Sequence, residues 1–231
     1  MAEYDIICLT ETWLTEDVTN ASLFLQNYHI YRNDRKSSDT RTSKHGGVLI
    51  AIKHHIKHEV HSTNISKADH LIVKIYTNNE SFILCCLYNA PFPSAYQWAT
   101  DELQELMDEI AKLKNNNEPH PCDIILTGDI NMDQTNWGAL SSTNLYEIQT
   151  LDMIVELNLT QYAPTQLDVL LCNNPELVTA CTLEDTATQY LKQFSDHKPI
   201  TTTLNFDTTF EKQNPRKHQY AFKKADWDGL N

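Results

Sequence analysis

Residues 124–131 read Ile124-Ile125-Leu126-Thr127-Gly128-Asp129-Ile130-Asn131. A short apolar, β-branched run that stops at a Gly-Asp pair is the pattern of a strand that delivers polar side chains at its end. Asp129 and Asn131 are two residues apart, so an extended backbone places them on one side. Such a pair can orient a water and hydrogen-bond an anionic oxygen. Taken alone, the match reads equally well as an Asx-rich turn.

The same pattern recurs along the chain. Tyr4–Thr10, Tyr28–Arg32, Val48–Lys53, His70–Tyr76, Phe82–Tyr88, Asp123–Thr127, Leu167–Leu171 and Pro199–Phe206 are short apolar runs bounded by polar or Gly/Pro/Asn clusters, and strands are expected there. Two segments carry a helical period instead. In the first, Leu103, Leu106, Met107, Ile110 and Leu113 form one stripe, with Ser94 and Gln97 spaced as a capping box ahead of it. Asp101 and Glu102 fall in its first turns and Lys112 and Lys114 at its end, as the helix dipole favours. The second starts near Asn144, has Glu147 three residues on, and continues through Ile148, Leu151, Ile154, Val155 and Leu157. Eight strands with two long helices among them predict an α/β or α+β sandwich of two packed sheets with the helices outside. The apolar period stops near residue 211, so 1–210 reads as one domain and 211–231 as a linker or frayed terminus.

Composition narrows the function classes. The chain has 231 residues, 31 Asp and Glu against 18 Lys and Arg, and a formal charge of −13. A hydrophobic share of 41% fits a globular protein, and 5 glycines exclude glycine-rich architectures. Six cysteines are too sparse for a disulfide scaffold, and none form a Cys-x-x-Cys pair, which leaves zinc without support. Cys8, Cys85 and Cys86 sit in apolar runs as small buried hydrophobes, which favours a reducing compartment, nucleus or cytoplasm. No apolar run reaches the roughly 18 residues of a membrane span, and the acidic start is unlike a signal peptide. The acid excess disfavours bulk coating of nucleic acid, which needs clustered Lys and Arg. It is compatible with an enzyme that holds a cation.

The charge is uneven. Residues 31–61 hold Arg32, Arg35, Lys36, Arg41, Lys44, Lys53 and Lys57 against Asp34, Asp39 and Glu59, along with five of the ten histidines. Residues 101–133 invert this, with nine acidic side chains against Lys112 and Lys114. A charge run is ordinarily a solvated face; the alternative is a basic rim beside an acidic site. Arg41 and Lys44 lie in a polar loop ahead of Gly46-Gly47, as backbone-phosphate contacts or as a solvated loop.

Further candidates stand at strand ends, where a scaffold hands side chains to a shared cleft. Glu11, in Thr10-Glu11-Thr12-Trp13, is a solvated cap or a metal ligand. Tyr88, before Asn89-Ala90-Pro91, is a packing residue or a hydroxyl presented to the site. Asp168 lies inside an apolar strand and needs a partner, for which His197 in Ser195-Asp196-His197 is the obvious candidate. A carboxylate that holds an imidazole in one tautomer recurs in catalysis.

Taken in order, Thr-Glu11-Thr, Tyr88 before Asn-Ala-Pro, Gly-Asp129-Ile-Asn131, Asp168 and Ser-Asp196-His197 resemble the endonuclease/exonuclease/phosphatase superfamily. The phrases Tyr4–Leu14, Tyr31-Arg32-Asn33-Asp34-Arg35, Gly46-Gly47-Val48 and Leu167–Leu171 look like its branch in non-LTR (LINE-type) retrotransposons. Tyr220–Trp227 looks like the linker that leads into a reverse transcriptase there. The resemblance implies a four-layer α/β sandwich, deoxyribonuclease I-like, of two mixed sheets flanked by helices. It also implies a monomeric enzyme, with no membrane partner, that nicks DNA by Mg²⁺-dependent phosphodiester hydrolysis, with Mn²⁺ as a substitute cation.

On that likeness Glu11 is the principal metal ligand, with Asp196 close to the metal. Asp129 orients or deprotonates the attacking water, and Asn131 hydrogen-bonds the phosphate. His197, oriented by Asp168, stabilises charge on phosphorus, and Tyr88 contacts the scissile phosphate or supports the leaving oxygen. Arg41 and Lys44 would touch the DNA backbone. The family also implies one more strand ahead of the first, with an asparagine for the site, and a longer hairpin between Thr165 and Asp168. The chain is therefore expected to lack that strand, and a relic that keeps the fold to bind DNA or protein is the alternative to an active nuclease. A phosphatase acting on phosphate monoesters is a third reading.

Overall fold

The computed structural model describes residues 4–23, 25–34, 46–65, 69–78, 80–90, 96–116 (96–100 as backbone only), 121–163, 165, 167–184, 195 and 197–206. The larger sheet contains β4 (His58–His61), β5 (Asp69–Tyr76), β6 (Ser81–Tyr88), β7 (Asp123–Asp129), β8 (Thr160–Gln161) and β9 (Asp168–Cys172), in the order β4-β5-β6-β7-β9-β8. It is mixed: β6 and β7 run parallel, and the other pairs are antiparallel. The parallel pair needs a crossover, which α1 (Tyr96–Asn115) provides. The smaller layer holds β1 (Ile6–Thr10), β2 (Tyr28–Asn33) and β3 (Val48–Lys53), ordered β1-β3-β2, and a separate antiparallel pair of β10 (Val178–Leu183) and β11 (Ile200–Leu204). The expected α/β sandwich of two packed sheets with helices is the fold observed.

Alternation explains the packing. Along β6, Phe82, Leu84, Cys86 and Tyr88 face the smaller layer and meet Val48, Ile50 and Ile52 of β3 in one core. The residues between them, Ile83, Cys85 and Leu87, face the other way. They pack on Leu103, Leu106, Met107 and Ile110 of α1 and on Leu151 and Ile154 of α2 (Leu145–Glu156). A strand buried on both faces reads as a continuous apolar run, as Phe82–Leu87 does.

Several expectations need correction. The strands β4, β8 and β10 were not foreseen. His58–His61 and Thr160–Gln161 are edge strands of polar sequence, and β10 is half exposed, so ladder pairing rather than apolar patterning holds them. The helix α1 begins at Tyr96, which places Asp101 and Glu102 beyond its first turn, where the dipole effect has faded. Its proposed cap, Ser94, lies outside the described residues. In α2, Asn144 caps as expected, its side chain accepting from the Tyr146 N–H. The buried face is displaced, however: Ile148 (39% exposed) and Val155 (56%) point outward, while Tyr146, Thr150 and Met153 point in. The cause is polar. Glu147 is buried and accepts from the Gln134 N–H and the Thr135 and Ser142 hydroxyls, so α2 turns to clamp the 134–142 loop.

The smaller layer is divided. Among the described residues no ladder joins β1 to β11, and each pairs along one side. A side-chain contact links their ends: the Thr201 hydroxyl lies 3.5 Å from the Tyr4 hydroxyl. The open edge shows in burial, since β3 is almost wholly buried while β1 is half exposed, with Leu9 at 47%. All six cysteines are free. No helix among the described residues is long and apolar enough to cross a membrane.

Candidate active site

Sheet register builds the site. Asp69 of β5 stands opposite Tyr88 of β6, Tyr88 opposite Asp129 of β7, and Asp129 opposite Asp168 of β9. Cross-strand neighbours share a face, so four adjacent strands present Asp69, Tyr88, Asp129 and Asp168 in a row at one end of the larger sheet. This is the carboxyl end of the parallel pair β6 and β7, where polar side chains leave the core. Close approach is required here. Gly128 has φ +135°, and a Cβ on it would lie 1.9 Å from the Leu87 carbonyl oxygen.

Glu11 reaches the row from the other sheet. It follows the last residue of β1 with a left-handed backbone, φ 49°, and the Tyr88 hydroxyl donates to its Oε1. Tyr88 is 2% exposed, so this hydrogen bond joins the two layers at the site.

The His197 ring closes the other side. Its Nδ1 lies 2.9 and 2.8 Å from Asp168 Oδ1 and Oδ2. Carboxylate oxygens accept, so Nδ1 carries the proton, and Nε2 carries a lone pair when the ring is neutral. Asp168 is itself held: its carbonyl accepts from the Thr165 hydroxyl and from the Gln161 amide at 3.4 Å. Asp129, Asp168 and His197 each offer a donor atom within 4.8 Å of the others.

Asp129 is 4% exposed. Burial pushes its carboxyl up from the ordinary 3.8 to about 6, the charges of Asp168 and Glu11 add to this, and the Asn131 N–H and the His197 charge oppose it. Asn131 donates its N–H to Asp129 Oδ1 at 3.0 Å and its side-chain amide to the Asn89 carbonyl at 2.7 Å, from a left-handed backbone of φ 53°. The backbone is therefore not extended between them, and both side chains reach the site through a tight turn, so the strand and turn readings each hold in part.

A raised carboxylate pKa favours the folded state when protonated. In metal-free protein the Asp129 penalty is absent below about pH 4, grows as pH rises, and is complete above about pH 6. A shift of about two units corresponds to about 3 kcal/mol. Asp129→Asn keeps the acceptor for Asn131 and removes the charge. In urea unfolding with EDTA, the variant is expected to match wild type at pH 4 and exceed it by about 3 kcal/mol at pH 7; parallel pH profiles would contradict the burial cost.

Three residues of the site were not foreseen. Asp69 accepts from the Gly47 N–H at 3.0 Å, and Gly46 and Gly47 accept in turn from the Trp13 and Thr12 N–H groups at 3.0 and 3.3 Å. Asp69 therefore anchors the loop that carries Glu11. Its only local signal is an acid directly before the apolar run that starts at His70. Asn89 donates to the Tyr146 hydroxyl, which ties α2 to the site. Burial raises the Tyr146 pKa, so this hydroxyl stays neutral.

Arg41, Lys44 and Asp196 lie outside the described residues. Within the described part of the basic stretch, cations are used structurally. Arg32 pairs with Asp34 and donates to the Thr15 and Val18 carbonyls, and Lys53 pairs with Asp5 at 3.0 Å.

In chemical terms the site offers four carboxylates (Glu11, Asp69, Asp129 and Asp168), an imidazole in one tautomer, two amides and two phenols. The hard oxygens of Glu11, Asp129 and Asp168 suit a cation of the Mg²⁺ type. Among the described residues no zinc set rich in imidazole or thiolate is assembled there.

The sequence profile of the Endonuclease/Exonuclease/phosphatase family matches residues 1–197. Solved structures share the fold at low identity. An AP endonuclease from Archaeoglobus fulgidus superposes with a TM-score of 0.59 at 16% identity, over 87% of this chain and 89% of that one. A 3′ phosphatase, NExo, from Neisseria bound to a product DNA hairpin gives 0.59 at 15%, over 87% and 89%. The endonuclease domain of TRAS1, a telomere-specific non-LTR retrotransposon, gives 0.58 at 12%, over 88% and 87%. No curated protein matches the sequence significantly.

Proposed function

Since the chain belongs to the Endonuclease/Exonuclease/phosphatase family and has its nuclease- and phosphatase-type hydrolase fold, we propose that it is a divalent-cation-dependent DNA-nicking endonuclease of non-LTR retrotransposon type. The observation that carries this reading is the register row Tyr88–Asp129–Asp168 with His197 locked on Asp168 and Glu11 locked on Tyr88. It brings together residues that lie far apart in sequence and whose types suit phosphodiester hydrolysis. The likeness of the motif phrases to LINE-type sequences and the TRAS1 neighbour support the narrower assignment.

In this reading Glu11 holds Mg²⁺ (or Mn²⁺), with Asp196 beside it. Such a cation would supply charge neutralisation at the phosphate oxygens. Asp129, raised by burial, orients a water and takes its proton. Asn131 donates to a phosphate oxygen, and Tyr88 holds Glu11 and the leaving side in place. His197, protonated on both ring nitrogens and paired with Asp168, donates its Nε2–H to phosphate oxygens while Asp168 fixes its ring. Residues 1–210 form the catalytic domain and 211–231 the connection toward a reverse transcriptase in a longer polyprotein. The enzyme acts as a monomer, with Arg41 and Lys44 on the DNA backbone.

The test is a divided assay with Mg²⁺ and with EDTA. Phosphodiester cleavage of a labelled duplex in Mg²⁺ alone is expected, with no phosphate released from an inositol phosphate. Phosphate release without strand cleavage would replace this reading with a phosphomonoesterase.

A second reading has one observation in its favour. Among the described residues no ladder joins β1 to β11 and apolar side chains of β1 are half exposed, which fits a relic that keeps the fold to bind DNA or protein. A folded, cation-loaded chain that binds duplex without cutting it would select the relic.

A further inference from the structure

We propose that Trp13 is a base-stacking platform of this site, so that the substrate is recognised as a nucleic acid through the nucleobase beside the scissile phosphate. The inference rests on the phosphodiester reading and narrows its substrate class.

Three observations carry it. First, Trp13 is 58% exposed, while the other described large aromatics are mostly covered. An exposed indole is a large apolar area left in water, and aromatic faces accept any base. Second, its place is fixed by the chain. Only Thr12 separates it from Glu11, a Cα span of about 7 Å at most, and Glu11 is bonded to Tyr88 in the site row. The Trp13 backbone therefore lies within about 7 Å of the Glu11 backbone, close to the phosphate spacing of a nucleic acid strand.

Third, the backbone is shaped to present it. Trp13 has φ 51°, a left-handed conformation that bulky residues rarely adopt. It persists because the Trp13 N–H donates to the Gly46 carbonyl at 3.0 Å, while Gly47 is held by the buried Asp69. Gly47 is itself compelled. It has φ +86°, and a Cβ there would stand 2.7 Å from the Thr12 hydroxyl. Asp69, Gly46 and Gly47 thus hold Glu11, Thr12 and Trp13 as one ridge. Local strain that the surroundings enforce marks functional segments. Glu11 and Trp13 both carry it, one with the carboxylate of the site and the other with an indole that is more than half exposed.

A phosphate monoester without a base would gain nothing from Trp13, whereas a nucleic acid strand would. The test is equilibrium binding of a fluorescein-labelled DNA duplex to the full chain in EDTA, where no cleavage intervenes. Trp13→Ala is expected to weaken binding about 5- to 100-fold and Trp13→Phe by less than about fivefold. Duplexes with one abasic position at a time add a readout that a purely structural role would not move. One position is expected to weaken wild type while leaving Trp13→Ala unaffected. Tryptophan fluorescence should be quenched on binding in wild type, and much less so in Trp13→Ala.

Equal affinity of wild type and Trp13→Ala would overturn the proposal, as would the same loss at every abasic position in both proteins. The outcomes separate from those of the catalytic reading. Cleavage with unchanged Trp13→Ala binding removes the stacking role alone. Trp13-dependent binding without any cleavage removes the nuclease alone.

Discussion

His197→Ala should lower the rate of strand cleavage about 10²- to 10⁴-fold, the range of a positioned proton-transfer or charge-stabilising group. The reason lies in the pair it forms. Asp168 accepts a hydrogen bond from the Nδ1–H at 2.9 and 2.8 Å, which orients the ring and leaves Nε2 to act. Asp168→Asn keeps the shape but offers an amide in place of one oxygen, so the ring can turn over or shift tautomer. That variant should lose nearly as much rate as His197→Ala. The double variant should lose little more than either alone, since residues that act as a unit are not additive. Losses that multiply would show that the two side chains act independently. Both changes are in a half-buried pair at the sheet end, so unfolding by urea should move little, and the effect should appear in rate rather than in stability.

Gly128→Ala should have the largest effect on folding, at least about 3 kcal/mol. The added methyl would meet three backbone atoms of Leu87, its oxygen at 1.9 Å, its carbonyl carbon at 2.9 Å and its nitrogen at 3.0 Å. None of these can rotate away as a side chain would. The φ of +135° adds strain of its own for any L side chain. Relief requires β6 and β7 to part where Tyr88 and Asp129 stand in register, so residual folded protein should also lose activity. Gly138→Ala is the matched control: its nearest neighbour, the Asn136 side-chain oxygen, is at 3.5 Å, and a change below about 1 kcal/mol is expected. Coincident urea transitions of Gly128→Ala and wild type would contradict the close approach.

Legibility in the sequence followed the physics of each element. Val48–Lys53 could be bounded from sequence because it is buried on both faces and reads as an unbroken apolar run. His58–His61 could not, because its side chains carry no apolar pattern and its stability comes from the ladder with β5. The helical period found α2, but the face it buries was set by Glu147 and Tyr146. The bonds of these two to the 134–142 loop and to Asn89 are long-range facts.

The site divides in the same way. Glu11, Tyr88, Asp129, Asp168 and His197 could be singled out because each ends, interrupts or shortly precedes an apolar strand, and the fold brings them together. Asp69 is part of the same row, yet its partner is a backbone N–H of Gly47, and no local pattern announces such a bond. The basic stretch misled in part. Arg32 and Lys53 look like a solvated or substrate-facing charge in sequence, but they hold loops and termini in the fold.

The most direct measurement is nicking of supercoiled plasmid by the purified 231-residue chain. Conversion to relaxed circles in Mg²⁺, abolished by EDTA and lost in both His197→Ala and Asp129→Ala, is the predicted result. Nicking that persists equally in those variants, or a folded chain that binds Mg²⁺ and leaves the plasmid intact, would contradict it.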